Sequence, residues 1–550
     1  PCDLLDVLET FKKKNRLNMK CCCRPKVTGI ALLLCGVILI VLPLALHNYI
    51  NEYIKKQIAD KVKIAPGSQI FDQWKKPTLP IYLQIYTFSI VNPEEVKQGQ
   101  PPFVYQKGPY SYRESREKFN ITWGDNNVTY NQITNYTFDP VASCKDCDPH
   151  KDIITSINIP YVAILQKLIA VVDDPKFNEV VTILLHFLKE GLFHTTTVHH
   201  TIWGYNETLF DDYDKFHDAV VKIPFIGKSL DNLLPKKFPK VFALQPNPNF
   251  DGDSTVNTGK SDIDLVGCYQ QWKGNFGKLN IWNSDDANMI NGTDGSVYRP
   301  DISKHDELYI FIIQLCRSLN VKFLNEVTKH GIDGYRFNVP KYLFESGDIN
   351  PNNKGFCNPN CLPSGLLNVN ACVPFNAPIV VSQPHFLNGN KSLQKMILGL
   401  NPDEEKHDTF LSVEPNTGIL LEASKRIQFN IQVDPMKGVD DLENVKSAQV
   451  PIMWINEHVS IDEGDANKLK KEVLNNLEII KWIEIGLYIV GGLMVLIAII
   501  LFICSCCKTK DETTLKLLAE SVQNNSSNGR NYGSNSQSSH LNPSLINASD

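Results

Sequence analysis

Followed position by position, the apolar residues of this chain fall into two long runs and a broad middle. Val27 to Leu46 covers 20 positions without a charge, and Ile485 to Cys504 does the same. A hydrocarbon core of about 30 Å takes about 20 apolar residues in a helix, because every backbone amide must be bonded within the segment. Both runs predict membrane-spanning helices. Ile50, Ile54, Ile58 and Val62 recur at every fourth position after the first run, and Leu469, Val473, Leu477 and Ile480 form a similar stripe before the second. These stripes predict amphipathic helices continuing each span, the first ended by Pro66-Gly67.

Between the spans the period drops to two. Arg426 to Val433 alternates strictly between polar and apolar and predicts a half-buried strand; Leu79 to Val91 predicts another, closed by Asn92-Pro93. Phe103 to Tyr112 and Val450 to Ile455 are shorter runs of the same kind. Ile159 to Val172 and Phe177 to Leu188 predict helices, with Asp173-Asp174-Pro175 as the break. They are too apolar for helices with a fully solvated side. Either they pack into the core or they form a surface that binds something apolar. From Asn524 the chain is rich in Asn and Ser and predicts no folded structure.

The expected organisation is a tail (1–26), a span (27–46), a large domain (47–484), a second span (485–504) and a second tail (505–550). Lys12, Lys13, Lys14, Arg16, Lys20, Arg24 and Lys26 precede the first span, and Lys508 and Lys510 follow the second. Positive flanks stay cytosolic, which puts both tails inside and the domain in a lumen or outside the cell. The first run is too long for a cleaved signal peptide and no A-x-A site follows it, so it reads as an uncleaved signal-anchor. The chain opens on Pro1, so further residues are expected before it. Six N-x-S/T sequons, at Asn120, Asn127, Asn135, Asn206, Asn291 and Asn390, predict N-glycosylation of the domain. Cys21, Cys22, Cys23, Cys506 and Cys507 flank the spans as candidates for palmitoylation. The domain holds seven cysteines, an odd number that leaves at least one without an intrachain partner. A net charge of -5 and the lack of a basic stripe argue against nucleic acid as a partner.

Catalytic patterns are missing. Gly252 to Ser261 spaces its glycines by six residues where a phosphate loop needs four, and there is no G-x-S-x-G or H-E-x-x-H. Cys144-x-x-Cys147-x-x-His150 reads as a local disulfide, or cysteines bonded elsewhere, rather than a metal half-site. Asp211-Asp212 and Asp285-Asp286 read as solvated loops. An enzyme, a cofactor and a metal are not expected.

Several stretches in order carry a family resemblance. They are Leu79 to Tyr82, Asn92 to Val96, Lys107 to Arg113, Trp203-Gly204-Tyr205, Met289 to Gly295, Cys316-Arg317-Ser318, Pro384-His385-Phe386, Gly399 to His407 and Glu414 to Gly418. Together they resemble the class B scavenger receptors, and Gly355 to Cys361 with Gly365 to Cys372 is most similar to the family's lysosomal member. The resemblance implies an α+β ectodomain: an antiparallel β-barrel-like core with short helices and an apical helical bundle, flanked by two transmembrane helices. It also implies a tunnel from apex to membrane, and turns the helices at 159–188 toward a binding surface. Lys189 falls where the family's fatty-acid translocase carries an apical lysine, with Leu184, Phe187 and Leu188 beside it as ligand contacts. A lysine there suits a carboxylate or phosphate head group. Family pairing implies disulfides Cys316–Cys372 and Cys357–Cys361; Cys144, Cys147 and Cys268 depart from the common pattern, and a 144–147 bond would leave Cys268 free.

The implied function is a membrane receptor for anionic phospholipid, fatty acid, sterol or lipoprotein-like cargo, with lipid transfer through its interior. The alternative is an endolysosomal sorting receptor that escorts a soluble lysosomal hydrolase. His186, His194, His199 and His200 cluster in or just after the apical helices, where imidazoles titrating near pH 6.5 could loosen ligands in an acidic lumen, but an ordinary surface or hydrogen-bonded histidine is the expected account of each. The dileucine-like pairs Leu517-Leu518 and Leu545-Ile546 lack the acidic residue four positions upstream. An endosomal or lysosomal membrane is expected over the plasma membrane.

Overall fold

A computed structural model describes residues 3–169, 178, 191–206, 213–222, 228, 231–232, 241–373 and 377–527. The chain forms two compact units, one from residues 3–52 with 471–527, the other Tyr53–Lys470. The first unit is a pair of long helices, within α1 (Asp3–Val62) and α7 (Asn475–Ser527). The stretches Lys26–Val62 and Glu463–Ser521 are long and apolar enough to cross a membrane. The helices touch at Gly36 and Gly491, where a Cβ on Gly36 would stand 2.8 Å from the Gly491 carbonyl. Small residues let helix backbones approach where packing, rather than water, drives association. Helix continues through Ser527, so residues 524–527 are folded where the Asn- and Ser-rich composition predicted none.

The second unit is built on strands. In chain order they begin with β1 (Ile81–Ile90), β2 (Val104–Trp123), β3 (Asn127–Phe138), β4 (Ile153–Ile157), β5 (Phe193–Thr197) and β6 (Tyr205–Asn206). Next come β7 (Val241–Phe242), β8 (Asn249–Asn257), β9 (Tyr269–Trp272), β10 (Asn275–Phe276), β11 (Glu307–Ile312) and β12 (Arg317–Lys329). The series ends with β13 (Ile332–Asn338), β14 (Leu366–Asn368), β15 (Ile379–Ser382), β16 (Phe410–Val413), β17 (Leu420–Val433) and β18 (Ala448–Ser460). One antiparallel sheet runs in the order β10-β9-β8-β3-β2-β1-β18-β17-β16-β13-β12-β11, with β15 added to β17 and β14 to β15. β4 and β5 pair as a separate two-stranded sheet, with β4 against β1.

The two ends of this sheet are joined by residues 289–293. On one side the Tyr269 N–H donates to the Gly292 carbonyl at 2.9 Å; on the other, the Thr293 N–H donates to Tyr309 (3.1 Å) and the Phe311 N–H to Thr293 (2.9 Å). The segment thus bridges β9 and β11 by three backbone hydrogen bonds, covering part of each edge that would otherwise be open. Gly292 has φ 90°, and a Cβ there would fall 2.1 Å from the Tyr309 carbonyl carbon. Only glycine fits. The Phe311 ring, 5.3 Å from Tyr269 and 5.5 Å from Trp272, seals the join.

β17 departs from its simple alternation. Its apolar positions Ile427 and Ile431 are buried as expected, yet Gln428 and Asn430 are fully buried too. The reason is that β15 pairs with this half of β17 in the sheet, and the turn Pro384–Phe386 forms a layer against Gln428. Gln428 accepts a hydrogen bond from the His385 N–H (2.7 Å), and Asn430 donates to the Val380 carbonyl (3.1 Å). His385 and His407 stack in this layer with ring centres 4.4 Å apart. The neutral tautomer of His385 is fixed, since Nδ1 accepts from the Asn401 N–H and Nε2 faces the Gln106 carbonyl oxygen at 2.7 Å. Burial pushes His385 down to about 3 and His407 down to about 4.

Helix α4 (Ile159–Ile169) settles half of the question left by its composition. Tyr161, Val162, Ile164 and Leu165 are all buried and belong to the main core. For this stretch the binding-surface expectation is corrected: an apolar helix without a polar side finds its lowest free energy inside. Asp285 and Asp286 form the first turn of a short helix capped by Ser284, not a loop, and Asp285 pairs with Lys278 at 2.9 Å. Phe177–Leu188 and Asp211-Asp212 lie outside the described residues, apart from Asn178.

Replacing Gly292 with valine should cost at least about 3 kcal/mol, from a forced backbone clash at positive φ; thermal unfolding of the reconstituted full-length protein reads this directly. The histidine pair sets an acid limit. Both rings are neutral in the fold and titrate near 6.5 when unfolded, so their contribution is complete above about pH 6.5 and declines as pH falls toward about 4. His407→Gln should flatten the decline in that window by up to about 1.4 kcal/mol per pH unit, measured as unfolding free energy against pH.

Candidate functional site

Closing the sheet gives it an inner face, and register identifies its residues. Leu83 and Ile85 of β1 pair with Tyr112 and Tyr110 of β2 and with Glu457 and Ile455 of β18. Beyond β18 the same face carries Lys425 and Ile427 of β17, then Leu411 of β16 and Phe337 of β13. Alternation of side chains along strands places these together. Ile85, Tyr110 and Phe337 are fully buried. Tyr110 also donates to Asp152 (2.8 Å), which pairs with Lys107 at 2.5 Å and ties the β4–β5 sheet to this wall. Helix α5 (Val198–Trp203) adds Trp203, whose ring meets Tyr112 at 4.8 Å and Tyr136 at 5.1 Å.

Toward the start of β1 the inner face changes from apolar to charged. Glu114 and Arg116 follow Tyr110 and Tyr112 on β2, and Glu457 and Lys425 stand opposite on β18 and β17. Arg116 lies 2.6 Å from Glu114 and also meets Glu457, which Lys425 contacts from its other side. Glu114 is sealed at 1% side-chain exposure, whereas Arg116, Lys425 and Glu457 keep 23%, 25% and 18%. Charged groups on the inside of a closed sheet therefore border space that water can enter. Burial pushes Glu114 up to about 7, with Arg116 opposing. Burial acts on Glu457 in the same direction, but Arg116 and Lys425 together hold it well below the usual carboxylate range.

Below this band the chain places a plug. Helix α2 (Gln69–Lys75), capped by the Ser68 hydroxyl accepting from the Phe71 N–H, carries Trp74, which is 2% exposed. Its ring meets Tyr130 edge-on at 4.8 Å. Lys118, the next inward residue of β2 after Arg116, donates to the Trp74 carbonyl at 3.0 Å and lies over both rings, 3.7 Å from Asp294. Burial lowers the Lys118 pKa and Asp294 resists the shift. None of these inner charges was singled out from sequence. The available signal was Tyr110, Tyr112, Glu114 and Arg116 at alternate positions, one strand face passing from aromatic to charged.

The residues singled out from sequence fall in different places. Lys189, Leu184, Phe187, Leu188 and His186 lie outside the described residues. His199 stacks on His150 at 4.1 Å and lies 6.0 Å from His200, with burial and then His150 lowering its pKa; His194 is on β5, across from Ser156. The structure pairs Cys316 with Cys372, Cys357 with Cys361 and Cys144 with Cys147, and leaves Cys268 a thiol that burial pushes up to about 11. Asn120, Asn135 and Asn390 are exposed; Asn127 and Asn291 are partly buried, and the Asn127 amide donates to Gln270 at 3.0 Å; Asn206 is in β6. Cys21, Cys22 and Cys23 are in α1, and Cys506 and Cys507 in α7, where Cys506 is exposed. Among the described residues no group of three or more His, Cys, Asp or Glu is placed to hold a metal ion.

Known proteins resemble this chain over almost its full length. Lysosome membrane protein 2 of Rattus norvegicus is 32% identical over 481 residues, covering 86% of this chain and 94% of the relative. The Homo sapiens protein of the same name is 33% identical over 482 residues, with the same coverage. Scavenger receptor class B member 1 of Cricetulus griseus is 32% identical over 476 residues, covering 86% and 88%. The CD36 family model matches residues 27–502, and the chain belongs to that family.

Proposed function

We propose that this chain is a two-pass membrane receptor for lipid-class cargo. Its glycosylated domain faces a lumen or the cell exterior and both tails lie in the cytosol. The observation that carries the reading is the closed sheet, apolar along much of its inner face and charged in one band that water reaches. Such a wall suits an amphipathic molecule, whose chain avoids water while its head group does not. Fatty acids, sterols and anionic phospholipids share that chemistry, and lipoprotein-like particles would present it on a surface. The segment Phe177–Leu188 with Lys189 would receive the cargo, Lys189 meeting an anionic head group beside Leu184, Phe187 and Leu188.

Passage from apex to membrane has a physical requirement. Ile85 and Tyr110 are completely buried, so a lipid moving along the inner face must displace them, and it must pass the Trp74 plug to leave. The relatives named for the lysosome membrane favour an endolysosomal membrane for this chain. The reading assigns binding and transfer, and no reaction.

Full-length protein in nanodiscs should bind vesicles containing phosphatidylserine more tightly than neutral ones, and Lys189→Glu should weaken that binding about tenfold or more, roughly 1.4 kcal/mol. Equal binding to both vesicle types, unmoved by the substitution, would remove the apical site. Lipid extraction and mass spectrometry of the purified protein should show retained lipid; a retained soluble hydrolase without lipid would favour an escort receptor instead. A peptide N-glycosidase should reduce the apparent mass of the membrane-derived protein, and a mass unaffected by the enzyme would contradict the assigned orientation.

A further inference from the structure

Arg317 opens β12 and is 5% exposed. Other arginines of the sheet meet carboxylates: Arg116 pairs with Glu114, and Arg336 pairs with Glu422 at 2.9 Å. Arg317 has no such partner among the described residues. One of its terminal nitrogens, Nη2, donates to the Asn353 side-chain oxygen at 3.2 Å, and the guanidinium carbon lies 3.3 Å from the centre of the Phe356 ring. Burial lowers its pKa to about 9, with no neighbouring carboxylate opposing the shift. It remains a cation at neutral and acidic pH. Removing an unpaired charge from water costs several kcal/mol, and a neutral amide with one ring face returns only part of that.

The surroundings are built to hold the group still. Asn353 is 7% exposed, and its amide nitrogen donates to the carbonyls of Tyr342 (2.8 Å) and Glu345 (2.9 Å), so its oxygen is committed to Arg317. Phe356 meets Trp282 edge-on at 5.3 Å, and the Trp282 indole N–H donates to the Cys316 carbonyl at 2.8 Å. The Cys316–Cys372 and Cys357–Cys361 disulfides bracket both sides of this arrangement. A guanidinium has five N–H donors in a planar fork. Among the described residues Nε and Nη1 have no acceptor, and neither is a fully enclosed, unsatisfied side-chain atom. A fixed cation with unspent donors facing accessible space has the complement of a planar or tetrahedral oxyanion.

We propose that Arg317, oriented by Asn353 and Phe356, is an oxyanion-binding site that takes a carboxylate or a phosphate group. Such a group arrives either as a lipid head or as a free inorganic ion. The site itself does not depend on the lipid-receptor reading, because the charge must be met whichever molecule brings the oxyanion.

The test uses full-length protein in nanodiscs, in a buffer free of phosphate and carboxylates. Thermal unfolding is followed as octanoate, methyl octanoate or inorganic phosphate is added. Octanoate, phosphate or both should raise the midpoint saturably, while methyl octanoate, which lacks the charge, should not. Asn353→Asp supplies an internal carboxylate, at the loss of the amide's donations to the Tyr342 and Glu345 carbonyls, and should abolish the response. Arg317→Lys keeps the charge but not the fork, and should weaken apparent affinity about tenfold. If Asn353→Asp does not fold, the lysine variant alone decides. A response to octanoate only assigns the site to lipid carboxylate, and a response to phosphate only assigns it to phosphate. The proposal fails if wild-type protein shows no oxyanion response, if methyl octanoate matches octanoate in the absence of a phosphate response, or if the response persists unchanged in the folded variants.

Discussion

The domain depends on five residues that do not belong to a strand. An antiparallel sheet of this length has two edges, each with a row of unpaired backbone groups, and segment 289–293 answers both at once through Gly292 and Thr293. Without it there would be two open edges and an inner face exposed to water. With it, the residues that alternate inward become a wall around a common interior. The cost of that closure is concentrated at Gly292, which must bring its backbone against Tyr309 at positive φ. A side chain there would push the segment away from β11 at the join. The distribution of charge inside the domain has meaning because this join exists.

Once the sheet is closed, each inward position is a choice between packing and polarity. At Ile85 and Tyr110 packing wins completely. At Glu114, Arg116, Glu457 and Lys425 the chain instead buries alternating charges on neighbouring strands. Such a network is often no more stabilising than an apolar core of the same volume, since desolvation offsets much of the attraction. Its presence is better explained by what borders it. Three of the four side chains touch water-accessible space, where apolar residues would leave an unwetted surface and charges keep a polar lining. Two acidic partners around one arginine are also shifted in opposite directions, Glu114 up by burial and Glu457 down by Arg116 and Lys425, so the two carboxylates differ in how firmly they hold their charge.

Strands and spans were legible because they rest on local periodicity. β1 and β17 follow period-two alternation, and the apolar runs within α1 and α7 are evident from length alone. The closure was not legible, because its hydrogen bonds join residues far apart in sequence and the segment has no strand pattern of its own. Gln428 and Asn430 misled for a related reason: polar positions on an alternating strand ordinarily face water, and here β15 alongside and the turn Pro384–Phe386 supply their partners instead. For α4 the residues and the family resemblance pointed in different directions, and composition prevailed over Ile159–Leu165. The candidate site was the least legible part. Glu114 and Arg116 look like a solvated stretch until register turns them inward, and His385 and His407 become a pair only through the fold.

Arg317 and Glu457 illustrate the same rule from opposite sides. Glu457 is half-buried between two cations, and its charge is secured by its neighbours, so nothing further is required of it. Arg317 is buried beside an amide and an aromatic ring, arrangements that fix orientation while leaving the charge largely unanswered. The Asn353 amide nitrogen donates to the Tyr342 and Glu345 carbonyls while its oxygen accepts from Arg317, two tasks that a carboxylate could not combine. An amide in that place therefore holds both the frame and the fork, and it leaves the positive charge of Arg317 to be met by a negative group from elsewhere.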